Sequence, residues 1–183
     1  MKKHDISWRN RKQVLSDFIK ENKLQIVAEI GVWQGALSEH LLANCSDVIM
    51  EYWAIDLWKE NYGSQTYQKI SGDSMWNSVY LNVCNLMIPY SQLHVIRASS
   101  LDATELFPLS YFDLVFIDAD HRYEAVLADI KSWLPLVKKG GFLTGHDYGG
   151  RKGGVTRAVD DYFGKDKITV IDGIWIKEID EKL

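Results

Sequence analysis

Two short segments carry side chains able to bind a cation or move a proton. The first reads Phe116-Ile117-Asp118-Ala119-Asp120-His121 and the second Leu143-Thr144-Gly145-His146-Asp147-Tyr148. Each follows an apolar run too short for a helix, and a helical pattern from Glu124 to Lys138 separates them. If both runs are parallel neighbours in one sheet, their carboxyl ends open side by side, where open α/β sheets bind ligands. Carboxylates and imidazoles would then converge in one crevice, a combination suited to a divalent cation and to proton transfer.

A second set of residues follows the earlier strands. Glu29-Ile30-Gly31-Val32-Trp33-Gln34-Gly35 is a glycine-bearing turn between a strand and a helix. Glycine there lets the backbone approach a ligand, and the helix amino terminus offers free N–H groups. The spacing departs from the dinucleotide pattern Gly-x-Gly-x-x-Gly, and no Gly-Lys-Ser/Thr follows as a P-loop requires. Taken alone, the turn reads equally well as packing. Asp56 ends the next strand, where an acid commonly accepts hydrogen bonds from ribose hydroxyls; a capping carboxylate is the plain structural alternative. Arg97-Ala98-Ser99-Ser100, small and polar, follows the third strand, where an adenine edge would be recognised.

These residues need a frame that brings strand ends together. The chain supplies strand-like runs at Leu24 to Ile30, Tyr52 to Leu57, Leu93 to Ala98, Phe112 to Ile117 and Phe142 to Thr144. Helical spacing alternates with them at Gly35 to Ala43, Asp73 to Leu86, Asp102 to Phe107, Glu124 to Lys138 and Val155 to Phe163. Lys139-Gly140-Gly141 breaks the chain before the fifth strand. Ile168 to Ile171 and Gly173 to Lys177 close it as a hairpin around Asp172-Gly173. Alternation over the whole length predicts an α/β fold, a Rossmann-like, doubly wound, mostly parallel sheet with a C-terminal antiparallel hairpin. All 183 residues fit one domain, with residues 1–23 as a helical extension. The polar, aromatic segment Trp58 to Gly72 breaks the alternation and reads as a substrate-side lid.

Composition excludes several classes. The chain is 46% hydrophobic and 25% charged, which removes disordered and fibrous classes. A net charge of -4 argues against a general nucleic-acid or membrane-surface binder. The basic cluster Lys2, Lys3, Arg9, Arg11 and Lys12 reads as the solvent-facing cap of an amphipathic helix carrying Val14, Leu15, Phe18 and Ile19. Cys45 and Cys84 fit neither a disulfide framework nor a metal spacing and read as apolar fillers. With no apolar leader and no run long enough to span a bilayer, the expected compartment is the cytoplasm.

Taken together, the strand ends resemble those of class I S-adenosylmethionine-dependent methyltransferases, over roughly Leu24 to Lys177. The nearest likeness is to metal-dependent small-molecule O-methyltransferases of the macrolide-sugar and catechol types. Gly154-Val155-Thr156-Arg157-Ala158-Val159-Asp160 and Ile174-Trp175-Ile176-Lys177 resemble the tail of the sugar branch. The resemblance implies S-adenosylmethionine as cofactor, with its methionine end at Glu29, Gly31, Val32, Trp33 and Gly35. It places ribose at Asp56 and Leu57, adenine near Ser99 and Ser100, and Asp118 against both cofactor and metal. It further implies a divalent cation, magnesium or manganese, with Asp118, His146 and Asp147 as ligands, and His121 as general base. The family carries Asp-Asn or Glu-Asp where this chain has His146-Asp147, so His146 is read either as a ligand or as a second catalytic base.

The expected activity is methyl transfer to a hydroxyl of a small-molecule acceptor. A S-adenosylmethionine-binding module without turnover and a metal-dependent hydroxylase-like relative are the alternatives. Asp120 reads as a helix cap, and Tyr123, Val126 and Trp133 as core. Tyr148 with Gly149, Gly150, Gly153 and Gly154 reads as a flap carrying Arg151 and Lys152. The amino-terminal helix, with Trp8 and Phe18, is a candidate homodimer surface.

Overall fold

A computed structural model describes residues 8–59, 72–150 and 153–180, with the side chains of residues 8–10 left aside. Seven strands form one sheet in the order β3-β2-β1-β4-β5-β7-β6. Strands β1 (Ile26–Ile30), β2 (Glu51–Asp56), β3 (Leu93–Arg97), β4 (Phe112–Ile117) and β5 (Val137–Gly145) are mutually parallel. The hairpin of β6 (Thr169–Ile171) and β7 (Ile174–Glu178) adds the antiparallel edge, β7 pairing with β5. Asp172 and Gly173 both take positive φ in its turn, 47° and 80°, as a tight two-residue hairpin demands.

Helices α1 (Trp8–Asn22), α2 (Ala36–Cys45), α3 (Asp73–Asn85), α4 (Ser100–Ala103), α5 (Tyr123–Trp133) and α6 (Gly154–Phe163) complete the alternation. The buried strands read as near-continuous apolar runs because helices cover both faces. One core cluster joins Leu15 and Ile19 of α1 to Leu41, Tyr52, Val83 and Leu114. The other joins Ile55, Phe112 and Val115 to Ile130, Trp133 and Val159. Full burial of an aliphatic side chain contributes about 1.5–3 kcal/mol, so Leu15 and Ile19 fasten α1 firmly to the sheet. Phe18 packs edge-on against Phe142 of the same chain, with ring centroids 4.8 Å apart. Cys45 and Cys84 are unbridged, as expected. Among the described residues no helix is long and apolar enough to cross a membrane.

One expectation changes. The helix predicted to reach Lys138 ends at Trp133, and the chain passes through a short 3-10 turn, Leu134–Leu136, into a β5 that already begins at Val137. Pro135, with no N–H to give, cannot continue the helix. Lys139-Gly140-Gly141 therefore lies inside β5, where pairing with β4 shifts register between Phe112 and Leu114. Residues 60–71 of the expected lid lie outside the described residues. At that segment's edges, Trp58 is buried and Gly72 precedes α3.

Candidate active site

The parallel register sets the site. Ile30 pairs with Ile55 on one side and Ile117 on the other, and Ile117 pairs with Gly145. The ends of β1, β2, β4 and β5 therefore open at one level, as the sequence requires. A crevice with about 930 Å³ of empty space, its mouth included, lies above β1, β2 and β4. Gly31, Val32, Trp33, Asp56, Leu57, Ser100 and Asp118 line it, together with Arg11, Trp58 and Trp76.

Gly31 sits at φ 91°, and a Cβ there would lie 2.4 Å from the Asp118 carbonyl oxygen. Only glycine lets the turn pass so close to the end of β4. Gly35 does not line the crevice; its Cα faces Val83 and Leu86 of the α3 region, so this glycine serves helix packing. The turn is gripped by Asp56, whose Oδ2 accepts from the Val32 and Trp33 amides at 2.9 and 2.8 Å. Its Oδ1 accepts from the Trp58 amide at 3.0 Å. Asp56 thus aligns the turn from within the crevice wall, and Oδ1, accepting once, keeps a lone pair for a ligand.

Glu29 lies beneath the turn, 2% exposed. Its Oε2 accepts from Ser38 Oγ and from the Tyr52 hydroxyl, the latter at 2.6 Å. Burial pushes its carboxyl up to about 7, against the pull of both hydrogen bonds and of the Arg11 charge. Burial also pushes the Tyr52 hydroxyl well up, so that it stays a donor.

At the third strand end the two serines divide. Ser99 caps α4, its Oγ accepting from the Asp102 amide at 3.1 Å, and it does not line the crevice. Ser100 does, but its hydroxyl faces inward, donating to Asp129 at 2.6 Å and accepting from Trp133 Nε1 at 2.8 Å. Burial raises the Asp129 carboxyl to about 6.

The acidic strand ends meet as the sequence requires. His121 Nε2 lies 3.3 Å from Asp118 Oδ1, and its Nδ1 lies 3.1 Å from Asp147 Oδ2. His146 Nδ1 lies 3.1 Å from Asp147 Oδ1 and 4.0 Å from Asp118 Oδ1. The hydrogen bond to Asp118 raises the His121 pKa, with the Asp147 charge adding to it and burial opposing. The hydrogen bond from His146 holds Asp147 below the usual carboxylate range. Asp118, His121 and Asp147 each offer a donor atom, all within 4.8 Å of one another. That donor set fits a divalent cation. His146 stands behind Asp147, and its buried Nε2 has no hydrogen-bond partner among the described residues.

Neighbours of this cluster depart from expectation. Asp120 is not the cap: α5 begins at Tyr123 with Arg122 at the cap position and no side-chain cap, and Asp120 accepts from the Arg122 amide and guanidinium. Beside the glycines, the Tyr148 hydroxyl donates to Asp160 at 2.7 Å, tying this turn to α6, while Gly149 and Gly153 face open space. A Cβ on Gly154 would lie 2.3 Å from the His121 carbonyl oxygen, so the start of α6 closes directly on the base candidate. Arg151 and Lys152 lie outside the described residues. Arg11 reverses its expected place: it is buried, lines the crevice and pairs with Asp118 Oδ2. The signal for it was present, since Arg11 shares a helical face with Leu15, Phe18 and Ile19.

A seven-stranded sheet of order 3-2-1-4-5-7-6 with a ligand crevice at its carboxyl edge is the architecture of class I methyltransferases. The chain belongs to the methyltransferase-domain family, whose model matches residues 28–148. No curated protein matches it. Its fold is similar to that of the O-methyltransferase NovP, at TM-score 0.66 and 20% identity over 94% of this chain and 79% of that one. An O-methyltransferase from Bacillus cereus, solved with SAH, gives TM-score 0.65 and 16% identity over 96% and 82%. CalS11, a TDP-rhamnose 3'-O-methyltransferase of calicheamicin biosynthesis, gives TM-score 0.64 and 14% identity over 96% and 82%.

Proposed function

We infer that this protein transfers a methyl group from S-adenosylmethionine to a hydroxyl of a small-molecule acceptor, assisted by a divalent cation. One observation carries the reading: Asp118 belongs at once to the crevice beneath the glycine turn and to the carboxylate–imidazole cluster beside it. A methyl donor and an acceptor hydroxyl held in those two places would lie side by side, and positioning is the main requirement of methyl transfer. S-adenosylmethionine, the donor consistent with the SAH in the Bacillus cereus neighbour, supplies a methyl group on a sulfonium. Gly31, Val32 and Trp33 would hold its amino-acid end, Asp56 and Leu57 its ribose, and Ser100 its adenine, with Trp58 and Trp76 as apolar walls.

A divalent cation supplies a lower pKa at an acceptor hydroxyl. Asp118, Asp147 and a histidine would hold it; the spacing favours His121 within the set, with His146 orienting Asp147. His121 is also the base candidate, and the two roles are exclusive at any one nitrogen. Its flanking carboxylates favour imidazolium, so His121 takes a proton only above its raised pKa or once a cation has neutralised them. Single-domain organisation, a cytoplasmic setting, a substrate lid over residues 58–72 and a homodimer belong to the same reading. The acidic balance favours a small acceptor over nucleic acid.

Calorimetric titration with S-adenosylmethionine, with and without magnesium or manganese, tests the reading. Binding of the cofactor in the micromolar range is expected. Absence of heat under every condition would end it, and full metal-dependent turnover by Asp118→Ala would remove the cation role.

A further inference from the structure

The crevice holds a buried cation whose purpose the reading above leaves open. Among its described lining residues the acids are Glu29, Asp56, Asp118 and Asp120, and the cations are Arg11 and Lys59. Lys59 is exposed, whereas Arg11 is 2% exposed and enters from α1. Its guanidinium pairs with Asp118 Oδ2 and stands 5.9 Å from the centre of the Phe116 ring. Its charge also acts on Glu29 and on Asp147.

Asp118 is therefore divided. Oδ2 faces Arg11, while Oδ1 faces His121 and His146. An amino-acid ligand entering beneath the glycine turn brings a carboxylate of its own into a wall already lined by acids. A desolvated carboxylate is costly unless paired, and a guanidinium pairs with it through two parallel N–H donors. Arg11 is the buried group in that wall able to do so.

We propose that Arg11 is an exchangeable cation shared by the two halves of the site. In the free protein it neutralises Asp118; when the cofactor enters, it turns to the cofactor's α-carboxylate and leaves Asp118 with its full charge for a divalent cation. The proposal rests on the methyltransferase reading. It requires positive coupling: cofactor occupancy strengthens cation binding at Asp118, His121 and Asp147, and the cation strengthens cofactor binding by the same factor. An Arg11 that braced Asp118 permanently would give no coupling.

The test is titration of manganese(II) followed by electron paramagnetic resonance, with and without saturating S-adenosylhomocysteine. In the wild-type chain the product analogue should tighten manganese binding at least fivefold, within the usual range of coupling. Arg11→Gln should bind manganese more tightly than wild type without the analogue, bind the analogue at least tenfold more weakly, and show no coupling. Arg11→Lys, which keeps the charge and loses the fork, should fall between them, with near-ultraviolet circular dichroism reporting that each variant is folded.

Analogue binding that leaves wild-type manganese affinity unchanged overturns the exchange, and needs no variant to show it. Unchanged analogue affinity in folded Arg11→Gln overturns it equally. Manganese that fails to bind in every arm, with the analogue bound, removes the cation site and the exchange with it. Failure of the wild-type chain to bind the analogue refutes the methyltransferase reading itself.

Discussion

Replacing Glu29 by Gln should make the protein more stable at neutral and alkaline pH. The carboxyl is buried, and its pKa stands at about 7 instead of the ordinary 4.5. Between those values the folded chain holds a proton that the unfolded chain has lost, so stability falls as pH rises through this window and levels off above 7. Each pH unit is worth about 1.4 kcal/mol, giving a total of about 3 kcal/mol. Both hydrogen bonds, from Ser38 and Tyr52, converge on a single oxygen, which the Gln amide oxygen replaces without loss. Glu29→Gln should thus match wild type near pH 4.5 and exceed it by about 1–3 kcal/mol at pH 8. The melting temperature would rise by up to roughly 10 °C. Asp129 and His121 add slopes of the same sign, because both have raised pKa values, and the difference between the two chains cancels them. Urea unfolding followed by circular dichroism at fixed pH values from 4.5 to 8.5 measures the effect. A variant no more stable than wild type at pH 8, with the wild-type slope retained between pH 5 and 7, would show that burial does not hold Glu29 protonated.

The other expectations follow from the same geometry. Asp129→Asn should remove the part of the pH dependence lying between 4 and 6 and stabilise the chain at pH 8 by about 1–3 kcal/mol; equal unfolding midpoints at pH 8 would contradict it. Gly31→Ala places a Cβ 2.4 Å from the Asp118 carbonyl oxygen and should cost more than about 2 kcal/mol as well as cofactor binding. Gly149→Ala, at φ 80° with no atom within 4 Å, should cost only about 1 kcal/mol in a parallel melt. For activity, the acid limb of kcat/KM should follow His121, since rising pH creates the neutral imidazole that either takes the acceptor's proton or binds the cation. His121→Gln should abolish that limb, and a limb unchanged in the variant would assign the proton to another group.

Much of this molecule was legible before folding. Short apolar runs located β1, β2 and β4, because strands buried on both faces leave few polar breaks, whereas the early start of β5 at Val137 was not legible. The acidic strand ends were legible as well. Residue types at the carboxyl ends of parallel strands must share one edge, and Asp118, His121, His146 and Asp147 do. Less legible was the end of α5, where Pro135 overrode an apolar pattern running on into Lys138.

What the linear chain determined was therefore the set of groups along the sheet edge, since local spacing and strand order place them there. What tertiary structure alone decided was their pairing. Gly31 and Gly35 look alike in sequence, yet one permits contact with the end of β4 and the other packs against α3. Ser100 turns its hydroxyl into the core because Asp129 and Trp133 arrive from α5. Arg11, in a stretch that reads as surface, reaches Asp118 across 107 positions of chain because Leu15 and Ile19 anchor its helix on the sheet. A charge's partner is fixed by distance in space, which the spacing of residues along the chain does not encode.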